Sequence, residues 1–452
     1  MTPDRMLDLT LLEAHRVLRA GDVSAAELTE AALARIAADK DASACFVRLA
    51  KAHAVEAARR VKAPVVSPLA GIPVAHKDIF SIRDEVTTFC SHPALNRKGR
   101  KTADAVAALD RAGAINLGAL HLSEFAMGPA GWNERLGYLA NPLDKARVTG
   151  GSSSGSAAAV ARKLVFASLG TDTGGSIRIP AAFCGIVGLK PSNGLVSTRG
   201  VFPDSPALDT VGPLTRSVAD CAAVLDVLTG TQTYSTALEE PPDLSACRVG
   251  MLTDTSLPVK PDREVAEAML HVREALERIG CAIVDIDSSL PADAGPMSGI
   301  VFLSDAASIH MEHLTGGAER LGPQVRNRLL LGASYPAAAY ATALRLRQNF
   351  LLRWKTEFLS RADILLMPAT PCLPPLTAAY DTLDADAAIA FNGRIGGYTG
   401  VWNYLGMPAL SLPVRRGDAF PVGLQVIADT GRDADVLRAG LALERLLGTD
   451  GE

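Results

Sequence analysis

Gly150-Gly151-Ser152-Ser153-Ser154-Gly155-Ser156 and Thr171-Asp172-Thr173-Gly174-Gly175-Ser176 bracket the stretch of chain whose reading decides the fold. Between them, Ser156-Ala157-Ala158-Ala159-Val160-Ala161 is built of helix formers, and Phe166-Ala167-Ser168-Leu169-Gly170 is a short apolar run closed by glycine. This order predicts a helix followed by a strand. Both serine loops therefore join regular elements and belong to a folded site. A serine in a glycine turn can present its hydroxyl outward, and consecutive glycines let backbone N–H groups approach a ligand oxygen unobstructed by a Cβ. Ser176, directly after Gly174-Gly175, is the better placed nucleophile.

A serine nucleophile requires a base, most often histidine. His76, His92 and His121 fall in or beside predicted strands and turns, and His310 and His313 share a helical face in a different region. None is a convincing partner. In Gly71-Ile72-Pro73-Val74-Ala75-His76-Lys77-Asp78-Ile79-Phe80, an apolar strand-like run contains one lysine, Lys77. Burial would lower its pKa from about 10.4 and supply a neutral amine. Strand alternation sends Asp78 to the opposite face, so it need not hold Lys77 charged.

With these three positions in place, the chain resembles the amidase signature family of serine hydrolases, whose catalytic set is serine, cis-serine and lysine. Ser176 matches the nucleophile in Gly-Gly-Ser-Ile-Arg, Ser152 the cis-serine of Gly-Gly-Ser-Ser, and Lys77 the lysine of Gly-Ile-Pro-Val-Ala-x-Lys-Asp. Separations of 75 and 24 residues between the three agree with the family pattern. Resemblance continues through Asp104 to Gly128, Gly188-Leu189-Lys190-Pro191, Leu208-Asp209-Thr210-Val211-Gly212-Pro213, Asn403 to Pro413 and Gly423-Leu424-Gln425; residues 231 to 390 are least diagnostic. Two departures stand out: His76 replaces a small apolar residue, and Ser154-Gly155-Ser156 replaces a glycine pair. Neither removes a catalytic atom.

The resemblance implies a proton relay from Ser176 through Ser152 to Lys77, a cis peptide at Ser152, an acyl-Ser176 intermediate, and an oxyanion hole from the N–H groups of Thr173, Gly174, Gly175 and Ser176. Ser153, Asp172 and Arg178 are the supporting candidates, with Arg178 expected to pair with Asp172 and stiffen the loop and steering of a carboxylate-bearing substrate as its alternative role. Phe125, Met127, Trp132, Phe202 and Trp402 flank matched motifs and are candidates for an acyl pocket, with core packing the competing role. The activity implied is hydrolysis of a small carboxylic amide to the acid and ammonia or amine. A second reading is the glutamine-hydrolysing A subunit of a tRNA-dependent amidotransferase, from whose Tyr-Gly-Arg-Val-Ser-Arg-Tyr-Gly run Asn193 to Gly200 departs. A third is an inactive binding or scaffold homologue. Thr171 to Gly185 resembles hydrolases of aryl-acetamides, but local similarity around a nucleophile reports mechanism rather than the acyl group.

Other signals carry less. A Gly/Ser run is often a linker, but Asn141-Pro142 before it, an alanine-rich helix after it, and a second Gly-Gly-Ser and Lys77 at matching separations argue against that here. A phosphate-binding loop lacks its Lys-Ser/Thr. His310-Met311-Glu312-His313 lacks the His-Glu-x-x-His arrangement and a third ligand, so no metal is expected, and no cofactor motif occurs. Cys184 follows Ser176 closely but reads as a small buried hydrophobe.

The chain is 48% apolar and 21% charged over 452 residues, enough for a sizeable core. Its net charge of −4 gives no footprint for nucleic acid or anionic membrane. Arg162 and Lys163 interrupt the longest alanine-valine stretch before it reaches the length of a bilayer span. The N-terminus does not resemble a signal peptide, and seven scattered cysteines show no paired spacing, so reduced thiols and a cytoplasmic setting are expected. The expected partner is a small amide; oligomeric state, a homodimer included, stays open.

Thr10-Leu11-Leu12-Glu13 and Ser24-Ala25-Ala26-Glu27 fit the capping box, so residues 1–60 are expected to be helical. From 61 to 230, apolar runs alternate with alanine-rich helices in an α/β pattern. Residues 231–452 repeat it at Cys247 to Ile286, turn helical over 300 to 360, and reach a proline-rich Met367 to Pro375 that is expected to lead to a substrate-facing loop. No linker is evident, which makes residues 1–452 one α/β domain. The family resemblance adds a large mixed, twisted sheet covered by helices on both faces.

Overall fold

In the computed structural model, which describes residues 2–62, 65–240, 242–383 and 385–448, the two serine loops flank the expected pair of elements. Ser154–Ala161 is helical and Ala167–Asp172 is extended. The extremities of the expected domain, residue 1 and residues 449–452, lie outside the described residues, as do 63–64, 241 and 384.

In chain order the strands are β1 (Phe46–Leu49), β2 (Pro73–Lys77), β3 (Val86–Thr87), β4 (Arg97–Lys98), β5 (Ile115–Leu120), β6 (Ala167–Asp172) and β7 (Val187–Lys190). They continue as β8 (Thr210–Thr215), β9 (Arg248–Leu252), β10 (Ala282–Ile286), β11 (Ile364–Pro368), β12 (Ala409–Val414) and β13 (Val422–Ile427). Among the described residues, all but the small β3–β4 pair form one eleven-stranded sheet ordered β1-β5-β2-β6-β8-β7-β12-β13-β11-β9-β10. The groups β5-β2-β6 and β11-β9-β10 are parallel, and the remaining neighbours run antiparallel. Helices flank this mixed sheet, so its interior strands are buried on both faces and read as continuous apolar runs rather than alternating ones.

Both N-terminal capping boxes form: Thr10 and Glu13 start the helix Leu11–Ala20, and Ser24 and Glu27 start Ala25–Ala38. One expectation for this region fails. Phe46–Leu49 leaves the helical segment and adds an edge strand, antiparallel to β5. Its four residues are too few for a periodic signal, and only the tertiary partner β5 defines them as a strand.

Sheet position explains the chemistry at Lys77. β2 lies between β5 and β6, all five of its residues are buried, and Lys77 is the last of them. Because β2 and β6 are parallel, with His76 opposite Leu169, Lys77 arrives beside Thr171 at the end of β6. Residues leaving the carboxyl ends of neighbouring parallel strands are where open α/β sheets place their sites. The helix Ser154–Ala161 returns the chain from the Ser152 loop to β6, and Gly155 is what lets it dock. A Cβ there would lie 2.5 Å from the His121 backbone nitrogen.

Candidate functional site

Lys77 is fully buried, and its Nζ is hydrogen-bonded to Ser152 Oγ at 2.7 Å while donating to Thr171 Oγ1 at 2.8 Å. Burial pulls its pKa down to about 7, against the opposing attraction of Asp204, Asp172 and Asp209. Asp78 takes no part: its Oδ2 accepts from the Thr88 N–H and hydroxyl. Burial alone does not make a base. Lys190 is equally buried and is likewise pulled to about 7, yet its amine donates to the Pro191 carbonyl and Asn193 Oδ1 rather than facing a serine. His76, whose imidazole burial pushes down to about 3, packs edge-on against Phe80 and stays neutral. Among the described residues no histidine is hydrogen-bonded to Ser152 or Ser176; His121 bonds to Ser154 Oγ instead, at 3.0 Å.

The peptide between Gly151 and Ser152 is cis. Ser153 joins the two serine loops, as its N–H donates to the Ser176 carbonyl (3.2 Å) and its hydroxyl to the Thr171 carbonyl (3.3 Å). Ser176 is half-buried and lines a cavity of about 270 Å³ together with Thr173, Gly174, Asp204, Phe302 and Arg328.

The Ser176 loop is wrapped around a buried ion pair. Asp172 Oδ1 accepts from the Gly175 N–H (2.7 Å), and Oδ2 from the Ile177 N–H (3.1 Å). Arg178 grips both carboxylate oxygens, with Nε to Oδ2 at 3.0 Å and Nη2 to Oδ1 at 2.9 Å. Its remaining bonds go to the Thr399 carbonyl (3.1 Å), Gln425 Oε1 (2.8 Å) and Asn403 Oδ1 (2.6 Å). Burial would raise the Asp172 carboxyl, but Arg178, Lys190 and Asn403 more than offset it and hold the group well below the usual carboxylate range. Arg178 thus ties the loop after β6 to the segments that carry Thr399, Asn403 and Gln425.

Two expectations are corrected by this geometry. Gly175 leaves the oxyanion donor set, because its N–H is committed to Asp172 and the residue does not line the cavity; Thr173, Gly174 and Ser176 do. The aromatic pocket residues are elsewhere. Phe125 and Phe202 pack with Phe89 and with His310, itself hydrogen-bonded to His313. Met127 is buried, Trp132 packs against Tyr138 with the rings tilted, and Trp402 is enclosed against Trp354. Flanking a motif in sequence did not bring these side chains to the cavity, since buried aromatics at such places fill core volume. The cavity wall comes instead from the helix Leu290–Ile309 through Gly295, Ser298, Gly299, Phe302 and Leu303, and from Arg328 and Leu331 of the helix Pro323–Ser334. The proline-rich segment after β11 lines a different cavity, with Asp262 and Arg394.

Sequence reading missed Thr171 as the second ligand of the lysine, and Asp204 and Arg328 altogether. A signal existed for Asn403 and Gln425, which lie in stretches carrying the family resemblance. Asp204 and Arg328 stand alone in sequence, and only the fold brings them to Ser176.

Known proteins resemble the chain over nearly its whole length. The sequence model of the amidase family matches residues 27–437. The chain is similar to the A subunit of glutamyl-tRNA(Gln) amidotransferase from Lachnospira eligens, 33% identical over 98% of this chain and 99% of that one. It is 35% identical to the protein of the same name from Roseiflexus castenholzii, over 99% and 97%. Among solved structures, one described as an amidase superposes with a TM-score of 0.88 at 33% identity, covering 97% of this chain and 100% of the other. The amidotransferase A subunit from Thermotoga maritima gives 0.79 at 27%, covering 98% and 94%. No helix among the described residues is long and apolar enough to cross a membrane.

Proposed function

The chain belongs to the amidase family, a family of enzymes that cleave amide C–N bonds, and from that premise we propose that it hydrolyses a carboxamide through an acyl-Ser176 intermediate. The observation that carries this reading is the buried Lys77 amine, 2.7 Å from Ser152 Oγ and with no carboxylate within ion-pair distance among the described residues. A neutral amine there takes the Ser152 proton as Ser152 takes that of Ser176, and Ser176 Oγ bonds to the amide carbon. The oxygen of the tetrahedral adduct is met by N–H groups of Thr173, Gly174 and Ser176, each donor contributing about 3 to 4 kcal/mol in comparable hydrolases. The C–N bond then breaks, and the proton returns through Ser152 to the leaving nitrogen. Water adds to the ester by the same relay and releases the acid. Ser153 and the Asp172–Arg178 pair hold the two loops in register.

Intact-mass detection of a covalent adduct with a serine-directed carbonyl probe tests the nucleophile. The adduct should form on the wild-type chain and vanish in Ser176→Ala; an unchanged adduct in the variant refutes the assignment.

A second reading is that the amide is glutamine and the chain the A subunit of a tRNA-dependent amidotransferase. The curated relatives support it more strongly than they support a free-standing hydrolase, since those compared above carry that name and match nearly end to end. Ammonia release separates the two. A free-standing hydrolase releases ammonia as the isolated chain, whereas the amidotransferase reading requires glutaminase activity that depends on partner subunits and tRNA.

A further inference from the structure

The Asp204 carboxyl in the reaction cavity has no described hydrogen-bond partner. Asp204 is only 3% exposed, lines the cavity beside Ser176, and has no hydrogen bond to either carboxylate oxygen. Such a group is costly: a buried carboxyl without donors loses its hydration and recovers nothing for it. Its position is nonetheless fixed. The Asp204 and Ser205 N–H groups donate to Asp209 Oδ2 (2.9 and 3.1 Å), and the Ser205 hydroxyl donates to Asp305 Oδ2 (2.5 Å) on the helix Leu290–Ile309. Thr173 in turn donates to Asp209 Oδ1 at 2.5 Å, which ties this loop to the Ser176 loop.

The charged neighbours do not supply the missing partner. Arg328 lines the same cavity, but its guanidinium sits over the Phe302 ring, 5.3 Å from the centroid, and among the described residues no ion pair joins it to Asp204. Lys77 is directed at Ser152 and Thr171. Asp209 is a second carboxyl, pushed up to about 6 by burial. Among the residues that line the cavity Asp204 is thus the one acid, no described donor is bonded to it, and Ile179, Leu303, Leu331 and Ile389 supply apolar lining. The complementary ligand is a short aliphatic chain carrying a positively charged N–H donor.

We propose that Asp204 is a specificity residue that receives an ammonium group of the substrate, so that the favoured amides are amino-substituted aliphatic carboxamides. This rests on the reading of Ser176 as the nucleophile, because that reading makes the cavity the acyl site. Burial has already raised the Asp204 carboxyl, and an arriving ammonium restores its charged form as an ion pair within hydrogen-bonding distance.

The test is binding by calorimetry to the full chain carrying Ser176→Ala, which needs no turnover. Two pairs of probes are used: 4-aminobutanamide against pentanamide, and glutamine against its deamino analogue glutaramic acid. The ammonium-bearing member of at least one pair should bind about ten- to a hundred-fold more tightly, the range for a charge-assisted hydrogen bond. Adding Asp204→Asn should collapse that ratio towards one. Equal binding within both pairs overturns the proposal without recourse to a variant, and so does a preference that survives Asp204→Asn. Failure of the nucleophile reading appears separately, as a covalent adduct that persists in Ser176→Ala.

Discussion

Replacing Arg178 by methionine keeps much of its volume and removes only the guanidinium, leaving Asp172 as a fully buried carboxylate without its cation. Breaking a buried pair in this one-sided way costs about 3 to 5 kcal/mol. The bonds to the Thr399 carbonyl, Gln425 and Asn403 are lost as well. Gln425 and Asn403 keep the bonds donated by their amide nitrogens, so those losses place the total in the upper part of that range. Arg178→Met should therefore lower the unfolding free energy in urea by about 4 to 5 kcal/mol. Combining it with Asp172→Asn should cost at least about 1 kcal/mol less than the sum of the single changes, since the second change removes the uncompensated buried charge that the first leaves behind. The Asp172 carboxyl titrates below its unfolded value, so its stabilisation is fully present above about pH 4 and is lost only as pH falls further. A loss under about 1 kcal/mol, the size of an exposed pair, or strict additivity in the cycle, refutes the argument.

The remaining predictions concern the relay and its loops. With Lys77 pulled to about 7 and active as the neutral amine, kcat/KM should rise with pH through that value; a flat profile from about pH 6 to 8 contradicts the role. Lys77→Ala should lose most activity at neutral pH and regain part of it in alkali, where hydroxide substitutes for the base. Ser152→Ala should be severely impaired in acylation yet show an unaltered circular dichroism spectrum, and near-normal acylation removes the bridge from the mechanism. Gly175 has φ +130°, and a Cβ there would meet Thr399 Oγ1 at 2.3 Å. Gly175→Ala should lose about 1 to 3 kcal/mol of stability together with acylation, as read by urea titration and intact mass; a wild-type midpoint speaks against strain in the loop.

Lys77, Ser152 and Ser176 were legible because each sits in a local motif, and their geometry follows from adjacent parallel strands whose order βαβ packing largely dictates. The Arg178–Asp172 pair was legible for a similar reason, since one short loop separates the end of β6 from the helix Arg178–Cys184. The cavity wall was not. It is drawn from residues 295–303, 328–331 and 389–400, helices whose amphipathic patterns report only that one face is covered and leave its partner unspecified. Aromatic residues near motifs misled for a related reason: burial is shared by cores and pockets, and the sequence signal is the same for both. Edge strand β1 was missed because four residues carry no period, and the hydrogen-bond ladder that defines it belongs to β5, far along the chain.

The Arg178 bonds to Thr399, Asn403 and Gln425 span 221 to 247 residues of chain. During synthesis Lys77, Ser152 and Ser176 emerge well before those acceptors exist. The nucleophile loop can reach its braced form only when the last portion of the sheet has been made and docked. Bracing of the Ser176 loop is thus coupled to synthesis of the chain as far as Gln425, and a product interrupted earlier would carry Lys77, Ser152 and Ser176 without these contacts.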